Sequence, residues 1–224
     1  MTRTASNLLN IVLLHLVIIC RAQAQGTFVN LDFEAANVPD LPPGQGGAVA
    51  VADGVPGWTV YIGLGQPSSM GHNTISLGGA DVEIYGPQWP SDQILQGSYT
   101  VFLLGSFMSP VVQAAAIGQT GQIPPTVRSL QFLTQQPSFI QASFAGQLIP
   151  LVQISSSNNY VTLAGDISTF AGQTGELRFT GEPHGGGLLD DILFSSQSIP
   201  EPSVLALSAL GALLLVTRFL RRRR

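Results

Sequence analysis

Glu176-Leu177-Arg178-Phe179-Thr180 and, after the break His184-Gly185-Gly186-Gly187, Leu188-Leu189-Asp190-Asp191-Ile192-Leu193-Phe194 decide the fold class. The first run alternates polar and apolar residues with a period of two, the spacing at which a strand sends successive side chains to opposite faces. The second is a short apolar run of strand length bounded by glycine. Working outward, similar runs lie at Phe28–Glu34, Ala48–Ala52, Trp58–Ile62, Thr74–Leu77, Val82–Tyr85, Tyr99–Leu104, Val111–Ile117, Ser129–Leu133, Phe139–Phe144, Leu148–Ile154 and Tyr160–Leu163. Spacings near ten residues, with Gly, Pro, Asn and Ser between them, predict one antiparallel β-sandwich over 25–197. The 25 Gly and 15 Pro among 224 residues, against 10% charged residues, argue the same way and make a helical bundle a poor fit.

Charge is unevenly placed. All nine basic residues are arginine, and Arg218, Arg221, Arg222, Arg223 and Arg224 crowd the end of the chain. Between Gln25 and Ile199, Arg128 and Arg178 stand against twelve acids, a net of −10 that leaves no footprint for a phosphate backbone. Nucleic acid is therefore excluded as a partner. The only cysteine, Cys20, falls in the N-terminal apolar segment, so the middle domain has neither disulfides nor a thiolate metal site.

The two ends read as an address. Arg3, the apolar run Leu8–Ile19 and Ala22-Gln23-Ala24 form a secretory signal peptide over 1–24, which routes the chain through the Sec translocon. A lipoprotein anchored at Cys20 would want a small residue where Ile19 stands, and an uncleaved anchor is the other alternative. At the far end Pro200-Glu201-Pro202 precedes an uncharged stretch, Ser203–Thr217. With Arg218 snorkelling, a helix over 203–220 reaches about 27 Å at about 1.5 Å per residue, close to the thickness of a hydrocarbon core. Arg221, Arg222, Arg223 and Arg224 form the cytoplasmic stop.

Pro-Glu-Pro, a short apolar helix and an arginine cluster, in that order at the chain end, resemble the PEP-CTERM sorting signal; the resemblance covers 198–224. It implies recognition of Pro200, Glu201 and Pro202 by an exosortase, a membrane protease, and passage from the inner membrane to the cell surface or extracellular matrix. Ile199 stands where valine is commoner, and a plain membrane anchor is the alternative. A weaker resemblance, to jelly-roll, galactose-binding-like modules, is carried by Asn30-Leu31-Asp32-Phe33-Glu34, Val55-Pro56-Gly57-Trp58-Thr59-Val60, Ile117-Gly118-Gln119-Thr120-Gly121 and Leu189-Asp190-Asp191-Ile192-Leu193-Phe194. In such modules acids of the first and last strands help hold a structural calcium, which makes Asp32, Glu34, Asp190 and Asp191 the metal candidates, completed by backbone carbonyls; acids that cap strand ends and face water are the alternative.

Little else suggests chemistry. His184-Gly185-Gly186-Gly187 has the form of an oxyanion-hole loop, yet no Gly-x-Ser-x-Gly elbow accompanies it. Asp81 and Glu83 share one face of a strand, whereas a catalytic carboxylate pair comes from different elements across a cleft. His72 and His184 would ligate a metal only if the fold joined them. Among Trp58, Trp89, Tyr61, Tyr85 and Tyr99, Trp58 reads as core. Trp89, between prolines in Gly86-Pro87-Gln88-Trp89-Pro90-Ser91, is the preferred carbohydrate contact. The expectation is an exported, non-enzymatic surface protein associated with envelope or extracellular polysaccharide. A secreted polysaccharide hydrolase and a ligand-free coat subunit are the alternatives.

Overall fold

Runs with one apolar face must bury it, and here they do so by stacking two sheets. A computed structural model describes residues 26–107 and 112–199. The signal peptide 1–24, the sorting motif Pro200, Glu201 and Pro202, the apolar segment 203–220 and Arg221, Arg222, Arg223 and Arg224 lie outside the described residues. No helix among the described residues is long and apolar enough to cross a membrane.

The larger sheet has eight strands in the order β1 (Gly47–Ala50), β3 (Ser69–His72), β4 (Asp81–Tyr85), β5 (Thr100–Leu104), β13 (Gly186–Ser195), β7 (Ser129–Thr134), β11 (Val161–Asp166) and β10 (Leu151–Ser156). The smaller has five, in the order β2 (Thr59–Ile62), β6 (Ala115–Gln122), β12 (Thr174–Gly181), β8 (Ile140–Phe144) and β9 (Gln147–Ile149). Pairing is antiparallel except between β3 and β4, which run parallel with Gly71 opposite Glu83. The fold is thus the expected all-β sandwich with one parallel pair.

Alternation explains the core between the sheets. Leu177 and Phe179 of β12 point inward, Leu130 and Phe132 of β7 meet them, and Phe132 and Phe179 cross edge to face at 5.1 Å. Each such fully buried side chain stabilises the fold by roughly 1.5–3 kcal/mol. Trp58 is core as expected: it packs beside Phe33 and Phe179, and its indole N–H donates to the Asn30 carbonyl.

Two expected strands differ in extent, since Ala48–Ala52 stops at Ala50, where Val51–Gly54 forms a helical turn, and β6 begins only at Ala115; three more differ in kind. Phe28–Glu34 turns twice, because Asn30 and Phe33 take φ values of 51° and 57°. Asn30 holds the turn by donating to the Pro56 carbonyl and accepting from the Ala35 N–H. Phe28, Leu31 and Phe33 still plug the core while Asp32 and Glu34 face outward. Thr74–Leu77 is a loop, and β3 lies just before it. Leu148–Ile154 breaks at Pro150 into β9 and β10, one strand in each sheet.

β13 ties the larger sheet together. Gly186–Leu189 pair with β5, and from Asp190 onward the strand pairs with β7. At the changeover β13 advances from Asp190 to Leu193 while β7 advances from Leu133 to Gln131, a one-residue bulge with Asp191 at φ 42°. The N–H of Ile192 is satisfied by the Leu31 carbonyl.

Both ends of the described chain leave at one pole. Thr27 donates to the Gln122 carbonyl and Arg128 to the Ser195 carbonyl, on either side of the connection from β6 to β7. The opposite pole carries Gly105, hydrogen-bonded to the Gly185 carbonyl, and Ser106, whose carbonyl takes the His184 N–H.

Candidate functional site

The segment joining β4 and β5, residues 86–99, folds back over the outer face of the larger sheet. It lands on Tyr85, Leu133 and Leu188, which with Leu95 form a small second core, flanked by Trp89, Ile94, Phe102 and Tyr160. Trp89 lies flat on Tyr85 with ring centroids 4.6 Å apart, and Tyr85 lies flat on Phe102 at 5.7 Å, a three-ring stack running along the sheet.

Beside this stack an open cleft of about 410 Å³ faces the pole remote from the chain ends. Its floor is Tyr85, Phe102, Leu104 and Leu188. Phe102 is partly exposed, whereas Tyr85 is covered at 1% exposure. Asp92, Gln93, Gln135 and Gln136 form a polar wall on one side, and Ile75 and Phe107 rise on the other. A Cβ at Gly186 would come within 2.5 Å of the Phe102 ring and 3.1 Å of Leu104, so the glycine keeps the floor clear.

The polar wall is held by side-chain bonds between elements. Gln135 donates to the Asp92 carbonyl and to Asn159 Oδ1, and Asn159 donates to the Ile94 carbonyl. Gln136 Oε1 accepts from the Leu188 N–H at 3.3 Å. Gln93 Oε1 accepts from the Trp89 indole at 3.0 Å, leaving its amide N–H groups for a ligand. A second hollow, lined by Gln135, Gln136, Asn158, Asn159 and Tyr160, continues the first past the two glutamines.

Two buried carboxylates grip the loops around the cleft. Glu83 is fully buried; its Oε1 accepts the Ser76 N–H and its Oε2 the Tyr85 hydroxyl, both at 2.8 Å. Burial raises it to about 7 against the donors' opposing pull, with Asp81 adding repulsion. The same desolvation and the neighbouring Glu83 push the Tyr85 hydroxyl far upward. Asp190, also fully buried, accepts the Gln96 N–H and the Thr100 hydroxyl on Oδ2 and the Asp191 N–H on Oδ1. Burial carries it to about 7 as well.

The metal candidates have other duties. Exposed Glu34 accepts the Ser98 and Tyr99 N–H groups on Oε1, and Asp32 accepts the Glu34 N–H. Asp191 is partly exposed on the bulge. Calcium needs six to eight oxygen ligands. Here the oxygens of Asp190 already face N–H and O–H donors, and among the described residues no three His, Cys, Asp or Glu side chains gather as a metal group. As arranged, Asp32, Glu34, Asp190 and Asp191 do not fit a shared calcium ion; Glu34 and Asp190 instead clasp the 96–99 turn.

Trp89 proves half-buried, with one face on Tyr85; it also lines a shallower hollow with Pro87, Ser91, Ile94, Gly97 and Ser98. His72 is buried in β3, desolvation lowers its pKa, and its Nδ1 has no partner; His184 stands exposed at φ 64°. The glycines after His184 answer to packing: a Cβ at Gly185 would run into the Phe139 ring. Sequence reasoning singled out Trp89 and Tyr85 but missed Phe102, Asp92, Gln93, Gln135 and Gln136, which come from three separate segments.

No family model matches the chain, and no curated protein matches it. Among solved structures it is similar to the module TmCBM61 in complex with β-1,4-galactotriose, at 15% identity and a TM-score of 0.41, over 77% of this chain and 99% of that one. It is also similar to the enzymatically active domain of tailspike protein 4 of bacteriophage CBA120, at 16% identity and a TM-score of 0.40, over 76% of this chain and 21% of that one. Likenesses this distant leave the cleft to be read from its own residues.

Proposed function

We propose that this is a non-enzymatic surface protein whose sandwich binds neutral carbohydrate in the cleft beside the Trp89–Tyr85–Phe102 stack. The observation that carries the reading is the pairing of an apolar aromatic floor, Phe102, with a facing wall of Asp92 and the carboxamides Gln93 and Gln135. A pyranose needs that combination: its C–H face stacks on a ring, while each hydroxyl both donates and accepts. Arg128 and Arg178 are the only cations between residues 26 and 199, and neither lines the cleft, so an anionic polymer finds no counter-charge there.

A binding role is favoured over hydrolysis because Asp92 is the single carboxylate among the residues lining the cleft, and glycoside hydrolysis takes two. The jelly-roll, galactose-binding-like kinship belongs to the same proposal. So does the route: signal peptide 1–24 through the Sec translocon, then the membrane segment 203–220 with Arg221–Arg224. Exosortase processing at Pro200-Glu201-Pro202 would follow. Attachment through that tail would leave the cleft, at the opposite pole, free to face outward.

The test is a glycan array probed with the full chain in detergent, alongside Phe102→Ala and Asp92→Asn. Retention of neutral glycans by the native protein, lost in both variants, is the expected result; no neutral glycan retained by the native protein refutes the reading. Intact mass of the surface-extracted protein tests processing, and persistence of Arg224 counts against it.

A further inference from the structure

The two sides of the cleft differ more than sugar recognition alone requires. Asp92, Gln93, Gln135 and Gln136 supply every carboxylate and carboxamide of the lining, and the Gln135 bond to the Asp92 carbonyl keeps them together. Across the floor, Ile75, Leu104 and Phe107 meet where the loop after β3 passes the end of β5, joined by the bond from the Phe107 N–H to the Gly78 carbonyl. Ile75 and Phe107 are each 52% exposed, so this second wall is apolar surface facing solvent. Ser76 is the polar side chain on that side, and its hydroxyl already donates to the Gly79 carbonyl.

A sugar stacked on Phe102 with its ring hydroxyls toward Asp92 and Gln93 turns its opposite edge to Ile75, Leu104 and Phe107. A hydroxymethyl group on that edge would exchange water for at most one side-chain acceptor, Ser76 Oγ, while a methyl group would bury itself against three apolar side chains. Resting on the neutral-carbohydrate reading, we propose that the cleft selects neutral sugar units whose outer edge ends in a methyl group. Two sources share that chemistry: a 6-deoxy carbon and an O-acetyl ester.

The experiment measures binding of the full chain in detergent to two matched pairs. One is a 6-deoxyhexose oligosaccharide against its 6-hydroxy counterpart. The other is an O-acetylated neutral glycan before and after alkaline deacetylation. One methyl group in an apolar pocket is worth about tenfold or more, so at least a tenfold preference is expected in one pair, and the pair that shows it identifies the source. Ile75→Ser and Phe107→Ser change half-exposed loop positions; each is expected to shrink that preference to less than about threefold, more than it weakens binding of the unsubstituted glycan. Equal binding within both pairs, tighter binding of the hydroxymethyl or deacetylated member, or a preference untouched by both serine variants overturns the proposal and leaves the neutral-carbohydrate reading standing. Absence of binding to all four glycans overturns that reading and the selectivity together.

Discussion

Replacing Glu83 by glutamine should stabilise the domain at pH 8 and leave it unchanged at pH 4. Glu83 sits on the outer face of β4 with no exposed surface, and burial raises its pKa from 4.5 to about 7. Below pH 4.5 the side chain is neutral whether the chain is folded or unfolded. Between pH 4.5 and about 7 the unfolded chain ionises while the folded one keeps its proton. Stability therefore falls as pH rises through that window and is level above it. The span from 4.5 to about 7, at about 1.4 kcal/mol per pH unit, is about 3 kcal/mol lost by pH 8. Glutamine removes the loss and can keep both bonds: its oxygen accepts the Ser76 N–H, and its amide donates to the Tyr85 oxygen once that hydroxyl turns away. For a domain of this size about 3 kcal/mol corresponds to roughly 6–12 °C in melting temperature at pH 8.

Asp190→Asn is the control that separates charge from shape. Both oxygens of Asp190 face backbone N–H groups, so an asparagine must turn its NH₂ toward one of them. That variant is expected to be destabilised by about 1–3 kcal/mol even at pH 4, where the aspartate carries little charge. Urea unfolding of a fragment spanning 26–199, at each pH from 4 to 8, measures both. A Glu83→Gln variant no more stable than the native domain at pH 8, or equally displaced at pH 4 and pH 8, refutes the buried-carboxylate argument.

Trp89→Ala removes one ring of the stack and frees Gln93, so a melting temperature several degrees lower and weaker glycan retention are expected together; a loss of binding without a stability change would make Trp89 a direct contact instead of a support. Gly185→Ala forces a methyl group into the Phe139 ring and should cost about 1–3 kcal/mol in urea unfolding, with an unchanged midpoint as the contrary result. Adding calcium or EDTA should leave the melting temperature where it is, since the carboxylates of Glu34 and Asp190 already face polypeptide donors; a rise with calcium would show that the 96–99 turn opens to admit the ion.

Alternation made strands such as β7, β8 and β12 legible, and short apolar runs between turn residues made β5 and β13 so, because each packs one apolar face against the opposite sheet, and that burial is what the pattern records. It failed where apolar residues do something else. Ile75 and Leu77 alternate as a strand would, yet they are 52% and 91% exposed and belong to the loop that walls the cleft. Ser69-Met70-Gly71-His72 carries no β signal, but β3 forms there because Met70 reaches the core and Gly71 lets the Glu83 side chain pass, with space for a Cβ only 2.8 Å from Glu83 Cγ. The candidate site was half legible. An aromatic between prolines marked the 86–99 segment, whereas Gln93, Gln135 and Gln136 look like any solvated amides until β7 and the folded-back segment bring them together.

Asp190 shows how far the task of a buried acid is set by the donors that the fold brings to it. Two acids in the final strand and two in the opening segment are metal candidates through the resemblance read in the sequence; a carboxylate is in any case expensive to bury without a counter-charge. The bulge changes that arithmetic: it aims Asp190 at the N–H of Gln96 and the hydroxyl of Thr100, and these donors together with the proton retained up to about pH 7 do the neutralising. The bulge also sends the Ile192 N–H to Leu31, so the opening segment, the last strand and the loop before β5 are fastened at one place. A cleft built on the far side of that fastening, away from both chain ends, can change the half-exposed residues of its apolar wall without loosening the sandwich, and this is why selectivity should respond to Ile75 and Phe107 while stability responds to Glu83 and Asp190.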